Sequence, residues 1–337
     1  MSARTELKSD FLTAAGWPNA ATSPITGDAS SRSYQRLMNP ETQETAVLMD
    51  APPDHAGSSA PFVAVASYLA GTGLSAPTIF AHDLDHGFLL LEDFGDNLFS
   101  DVITKSPMSE RPLYEAAIHV ICHLQDHPNP DLPRFDAVRM AQACDLAFLH
   151  YRPIPATHLD DDAQRAIEQL SDQLSQLDDF SRVSLRDFHA QNLMWLSERA
   201  GLARVGLLDF QDAVQTHPSY DLMSLVKDAR RDVSPELADH LIQLFCQIRS
   251  YDETTFRAEA ALISAQRNLR ILGIFARLSR NMSKPHYIDM VPRVWTHLQT
   301  DLAHPALAKL RRTLNGILPE PTPDLLNRLR TPCQTQS

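Results

Sequence analysis

The order of hydrophobic patterns along this chain predicts an α+β fold in two lobes, a small antiparallel-sheet N-terminal lobe and a larger, mainly helical C-terminal lobe. Three observations carry that reading. Short apolar runs bounded by Gly, Pro, Asn and Asp dominate up to residue 92, with one helical pattern inserted among them. Apolar residues at three- and four-residue spacing dominate from Asn97 onward. Between residues 182 and 208 a group of short strands interrupts the helices and carries Asp187, Asn192 and Asp209 at its ends. At 337 residues the chain is long enough for two lobes with separate cores.

Residues 6–15 read as a short amphipathic helix closed by Gly16, with Phe11, Leu12 and Ala15 on its buried side. Strands are predicted at 23–28, 33–37 and 45–49. Gly27-Asp28-Ala29-Ser30-Ser31 joins the first two, and Asn39-Pro40-Glu41-Thr42 turns into the third. Small residues and hydroxyls at the first turn let backbone N–H groups approach an anion, although the same residues also make an ordinary hairpin turn. A helix over 61–70 presents Phe62, Val65, Ala66 and Leu69 on one face and stops at Gly71 and Gly73. Segments 77–82 and 87–91 complete five strands, and Glu92-Asp93-Phe94-Gly95-Asp96 leaves the last of them. The expected organisation is therefore an N-terminal lobe over 1–92, a hinge at 93–96, a helical lobe over 97–318 and a polar, partly loose tail over 319–337.

In the second lobe, helices are predicted at 113–127, 138–151 and 160–177. Short strands follow at 182–185, 193–196 and 205–208, and helices resume at 220–229, 235–248, 253–278, 288–302 and 306–314.

Composition narrows the function classes. A formal net charge of −12 leaves no basic surplus to neutralise phosphates, so neither a nucleic acid nor an anionic membrane is an expected partner. Cys122, Cys144, Cys246 and Cys333 lack C-x-x-C spacing and read as reduced thiols of a cytoplasmic protein. The polar, charged N-terminus does not resemble a signal peptide, and no apolar run approaches a membrane span. The fourteen histidines form no zinc-type spacing.

The chemistry concentrates in Ser184-Leu185-Arg186-Asp187-Phe188-His189-Ala190-Gln191-Asn192 and Val205-Gly206-Leu207-Leu208-Asp209. An Asp, an Asn five positions later and a second Asp after a further strand follow the order a phosphoryl-transfer site needs. They would supply a base for the attacking hydroxyl, an amide ligand for Mg²⁺ and a carboxylate bridging metal and phosphates. A hairpin of the strands at 193–196 and 205–208 would set Asn192 beside Asp209.

Asp187, Asn192 and Asp209 match motif positions of the protein-kinase-like fold, and the surrounding text resembles the aminoglycoside phosphotransferase and choline kinase superfamily. Three stretches resemble more narrowly the bacterial N-acetylmuramate/N-acetylglucosamine anomeric kinases. They are Gly27-Asp28-Ala29-Ser30-Ser31-Arg32-Ser33-Tyr34, Leu48-Met49-Asp50-Ala51-Pro52-Pro53 and Phe88-Leu89-Leu90-Leu91-Glu92-Asp93-Phe94-Gly95-Asp96. Leu208-Asp209-Phe210-Gln211-Asp212-Ala213, Asp228-Ala229-Arg230-Arg231-Asp232-Val233 and the run from Arg267 to Leu278 extend it.

The resemblance implies ATP and Mg²⁺ as cofactors and a small-molecule sugar as acceptor, phosphorylated at its anomeric hydroxyl. It implies that Asp187 is the catalytic base, that Asn192 and Asp209 hold Mg²⁺, and that Asp221 braces the catalytic loop. Ser30, Ser31 and Arg32 would lie over the phosphates, and Glu92, Asp93 and Phe94 would form an adenine-facing hinge acting mainly through backbone groups. His189, Gln211, Asp212, Arg230 and Arg267 are the candidate sugar lining.

Two departures from the pattern stand out. Leu185 replaces the usual His two positions before the catalytic Asp. Met49 stands where a phosphate-binding Lys is expected, and the helix over 61–70 lacks the Glu that would pair with such a Lys. Losing both together leaves no orphaned buried charge. Arg32, and after it Arg36, are the candidate replacement cations. Two other readings remain open: a kinase for an aminoglycoside or choline-like compound, and a pseudokinase that binds a nucleotide or partner.

Overall fold

A computed structural model of the chain describes residues 3–25, 32–129 and 131–331. Contacts divide the chain into two units, one of Met1–Val120 with Ala190–Ala213 and the other of Ile121–His189 with Val214–Ser337. The division thus falls at Val120, not within the 93–96 segment expected as a hinge, and residues 190–213 group with the N-terminal strands.

The first unit contains an antiparallel sheet of β1 (Ala21–Ile25), β2 (Ser33–Met38), β3 (Thr45–Asp50), β4 (Ile79–Asp83) and β5 (Phe88–Glu92), in the order β1-β2-β3-β5-β4. β3 and β5 are nearly continuous apolar runs because both of their faces are covered. On one face Leu37, Ala46, Leu48, Phe88 and Leu90 pack against Leu7, Phe11 and Leu12 of the helix Ala3–Ala14. Alternation puts Val47, Met49, Leu89 and Leu91 on the other face. The N-terminal helix is also held electrostatically: Asp50 pairs with Arg4 at 2.5 Å and Lys8 at 3.3 Å, and the Arg4 guanidinium lies 3.9 Å from the Phe88 ring centre.

The helix Ala60–Gly71 buries Phe62, Val65, Ala66 and Leu69. A short helix, Pro53–Ala56, precedes it and was not expected. Strands Leu193–Trp195 and Val205–Leu207 form the anticipated antiparallel hairpin, with Leu193 opposite Leu207 and Trp195 opposite Val205. Within the same unit, Met194 bridges to Leu98 and Gly206 to Ser75. Phe94 lies so close over Gly206 that a Cβ there would stand 2.9 Å from its ring.

The second unit is built on the helix Glu253–Met282, whose buried residues run from Phe256 to Arg280. Helices Val291–Leu302, Ser219–Val226 and Asp161–Leu174 contribute to the same unit. Strands Arg182–Ser184 and Val214–Thr216 pair antiparallel, and the latter, only three residues long, gave no sequence signal. The helix expected over 138–151 is instead a short helix, Ala137–Gln142, and a wide π turn, Ala147–Tyr151. Gly273 lets this segment press against the long helix: a Cβ on it would lie 2.2 Å from the Leu146 carbonyl carbon and 2.3 Å from the Ala147 nitrogen. Backbone meets backbone at this point.

The expected partly loose tail is also corrected. Thr322 caps a helix, Pro323–Arg330, that buries Leu325 and Leu329. Polar composition hid it, because two leucines four apart are enough to anchor two helical turns. Cys122, Cys144 and Cys246 are buried free thiols, and Cys333 lies outside the described residues. Burial pushes the Cys144 thiol up to about 12, so it is unreactive at neutral pH. Among the described residues no helix is long and apolar enough to cross a membrane.

Gly273→Ala should therefore destabilise the protein by at least about 1–3 kcal/mol, the usual range for overpacking. The denaturant midpoint checks this; a midpoint at the wild-type value would show that the 146–151 turn yields freely.

Candidate active site

Asp187 follows the strand Arg182–Ser184 in a loop whose backbone is collected by one buried carboxylate. Asp221, in the first turn of helix Ser219–Val226, accepts from Ser184 Oγ at 2.6 Å, Leu185 N at 2.7 Å and Arg186 N at 3.0 Å. Burial pushes its carboxyl up to about 6, while those three donors pull it down. Arg186 has φ +68°, the left-handed region. Its carbonyl accepts from Ser224 Oγ at 3.2 Å, and Ser224 in turn accepts from Arg267 Nη2 at 2.7 Å. The strain at Arg186, of order 1–3 kcal/mol, is thus held from both its N–H and its carbonyl side.

Four charged or polar side chains of the same unit stand near Asp187. His189 is 3% exposed, and its Nε2 lies 3.1 Å from Arg230 Nη1. A guanidinium can only donate, so the imidazole accepts and is neutral. Burial, reinforced by the Arg230 and Arg267 charges, holds the His189 pKa well below its ordinary value. Arg267 is buried within electrostatic reach of Tyr220, Asp187 and Asp228. Asp228 accepts from Arg230 N at 2.8 Å, and burial pushes its carboxyl up.

In the first unit the hairpin places the other two residues. The Asn192 backbone carbonyl accepts from Leu208 N at 3.0 Å, and the Asn192 side-chain Nδ2 donates to Asp209 Oδ2 at 3.5 Å, which makes Oδ1 the amide atom that would face a metal. Asp209 also has a left-handed backbone, φ +55°. Next to it, Phe210 is fully buried with its ring 4.8 Å from that of Phe62, which pins the turn. Gln211 Nε2 donates to Asp209 Oδ1 at 2.8 Å. An amide carbonyl and a carboxylate are hard oxygen donors, so the pair fits Mg²⁺, which takes few protein ligands and fills its shell with phosphate and water.

Tyr34 pairs directly with Met49 across β2 and β3, so it faces the position where a Lys was expected. Burial raises its phenol pKa. Arg32 opposes the rise through its charge and a hydrogen bond, and the nearby Asp209 carboxylate adds to it. Arg32, Tyr34 and Asp209 therefore share one neighbourhood.

The remaining candidates have other engagements or locations. Arg36 is committed to Asp93 at 2.7 Å and Asp96 at 2.8 Å, which removes it as a phosphate cation. The Glu92 side chain takes Thr78 Oγ1 at 3.0 Å and pairs with Arg199, whose guanidinium lies 5.1 Å from the Phe94 ring centre. Gln211 is bound to Asp209, Asp212 is exposed, and both belong to a different unit from His189, Arg230 and Arg267. Ser30 and Ser31 lie outside the described residues. Sequence reasoning passed over Tyr34 and Asp228. The strand parity of Tyr34 with Met49 was a usable signal for the first, and its place two residues before Arg230 for the second.

Residues 21–259 match the model of the phosphotransferase enzyme family. The chain belongs to that family. Over 95% of its length this phosphotransferase is 35% identical to the N-acetylmuramate/N-acetylglucosamine kinase of Caulobacter vibrioides, 98% of which is covered. It is 32% identical to the protein of the same name from Pseudomonas aeruginosa, over 91% of this chain and 93% of the relative. The fold is similar to that of choline kinase LicA from Streptococcus pneumoniae, with a TM-score of 0.61 and 10% identity, covering 94% and 99% of the two chains. The kinase-like, two-lobed α+β class expected from the sequence is thereby established.

For the phosphotransferase, Asp221→Asn should lower kcat and destabilise the fold by about 1–3 kcal/mol, because an amide NH₂ would face backbone donors. The sign with pH follows from the raised carboxyl. Between pH 3.8 and about 6 the folded protein keeps a proton that the unfolded chain has released. The stability advantage of wild type over the variant should therefore widen as pH falls through that window. A gap that narrows on acidification, followed by chemical denaturation, would contradict this.

Proposed function

We propose that the chain is a cytoplasmic, ATP- and Mg²⁺-dependent kinase that phosphorylates the anomeric hydroxyl of N-acetylmuramate and N-acetylglucosamine. The observation that carries the reading is the Asn192–Asp209 pair, set 3.5 Å apart by a hairpin, with Asn192 five residues after the braced Asp187. The names and extended similarity of the relatives support the choice of sugar.

Asp187 accepts the proton of the attacking hydroxyl, and its own position is fixed through Arg186 and Asp221. Asn192 and Asp209 hold the metal. When bound, Mg²⁺ neutralises charge on the phosphates. Arg32, hydrogen-bonded to Tyr34 near Asp209, supplies the guanidinium that replaces the missing Lys. Phosphoryl transfer needs little covalent help, so positioning and charge neutralisation carry most of the rate enhancement.

The test is Mg²⁺-dependent ATP turnover with a panel of amino sugars, aminoglycosides and choline. N-acetylmuramate and N-acetylglucosamine should be accepted. Asp187→Ala should lower kcat by about 10²–10⁴-fold, the usual worth of a general base, with nucleotide affinity retained. Turnover of aminoglycosides alone would overturn the acceptor, and turnover of nothing would favour a binding module.

A further inference from the structure

The two sugars of the proposed function differ in one substituent. N-acetylmuramate carries an ether-linked lactyl group ending in a carboxylate, whereas N-acetylglucosamine has a hydroxyl at that carbon. Whatever separates them must recognise that carboxylate, and a guanidinium fork is the side chain best matched to it.

Three arginines of the second unit bear on this neighbourhood: Arg186 precedes Asp187, Arg267 acts on it electrostatically, and Arg230 is joined to the group through His189. Arg186 lies over the Phe135 ring at 5.3 Å and holds the loop through its backbone. Arg267 is 5% exposed and donates to Ser224, which supports the Arg186 carbonyl. Arg230 is half-buried, and only its Nη1 is engaged, by His189 at 3.1 Å. Its other guanidinium nitrogens make no hydrogen bond among the described residues, so the fork is held at one prong and open at the rest.

The buried neighbours complete a polar surface that the folded chain does not itself satisfy. Arg267 Nη1 and Asp228 Oδ2 are buried and have no hydrogen-bond partner among the described residues. A buried donor and a buried acceptor of this kind each cost about 1–3 kcal/mol if left unmade. They suit the neutral hydroxyl and amide groups that the two sugars share. Around Asp187 the charges of Asp187 and Asp228 are matched by Arg230 and Arg267, so an anionic acceptor is not repelled despite the chain's net charge of −12.

Resting on the proposed function, we propose that Arg230, oriented by His189, binds the lactyl carboxylate of N-acetylmuramate and sets the preference between the two sugars. His189 is a positioning residue. Its neutral Nε2 accepts from Nη1, and its near-complete burial fixes the direction of that lone pair. Arg230→Lys keeps the charge but loses the fork, and His189→Phe keeps the bulk but loses the acceptor.

The experiment compares N-acetylmuramate, its methyl ester and N-acetylglucosamine on the full-length wild type and on Arg230→Gln. In the wild type, esterification should raise KM by about 10- to 100-fold, the worth of one charge-assisted contact. Arg230→Gln should lower the kcat/KM ratio of N-acetylmuramate to N-acetylglucosamine by a similar factor, mainly through KM, and should no longer distinguish acid from ester. Arg230→Lys should fall between, and His189→Phe should shift the ratio the same way by a smaller factor. Arg230→Gln that still separates acid from ester as the wild type does, or equal losses on both sugars, would overturn the assignment. The wild-type acid/ester comparison decides even if a variant fails to fold, since equal KM values would also overturn it. A wild type that phosphorylates neither sugar overturns the proposed function instead.

Discussion

One buried carboxylate sets the geometry of the loop that leads into Asp187, the proposed base. Asp221 gathers a hydroxyl and two consecutive backbone N–H groups, at 2.6, 2.7 and 3.0 Å. Charge-assisted bonds of this kind are about twice as strong as neutral ones, and burial prevents water from competing for them. They help hold Arg186 in a left-handed conformation that a side chain disfavours, directly before Asp187 in the chain. The Arg267–Ser224–Arg186 chain adds a second support on the carbonyl side. Arg267, a candidate for substrate contact, thus also supports the backbone beside the proposed base.

A second left-handed residue, Asp209, sits in the first unit, and its support is different. There a hairpin and the buried Phe210 ring do the holding, and Gly206 admits Phe94 against the hairpin. Two residues of the proposed chemistry therefore lie in or beside strained backbone that its surroundings over-determine, a common arrangement where geometry matters more than local stability. Opposite Met49 stands Tyr34, which hydrogen-bonds Arg32, the residue just before that strand and the proposed replacement cation.

The pairing of Asn192 with Asp209 was legible in the sequence because it depends on local order. Asp187, Asn192 and Asp209 sit at the ends of short apolar strands, and pairing the last two strands brings the two oxygen-bearing side chains together. What stayed hidden depends on contacts far apart in the chain. Arg36 looked available until its pairing with Asp93, 57 residues away, was seen. The π turn at Ala147–Tyr151 presses against Gly273, and the three-residue strand Val214–Thr216 exists because Arg182–Ser184 pairs with it. The terminal helix was concealed by its polar composition, which says little about two well-spaced leucines.

The proposed activity is defined by where the phosphoryl group goes. Phosphorus NMR of the product formed from ATP, Mg²⁺ and N-acetylglucosamine reads this directly, since a phosphate on C1 splits the anomeric proton signal and removes the reducing end. The account predicts that coupling, with no phosphate on any other carbon. A phosphate on C6, or an intact reducing sugar beside ADP and inorganic phosphate, would contradict it.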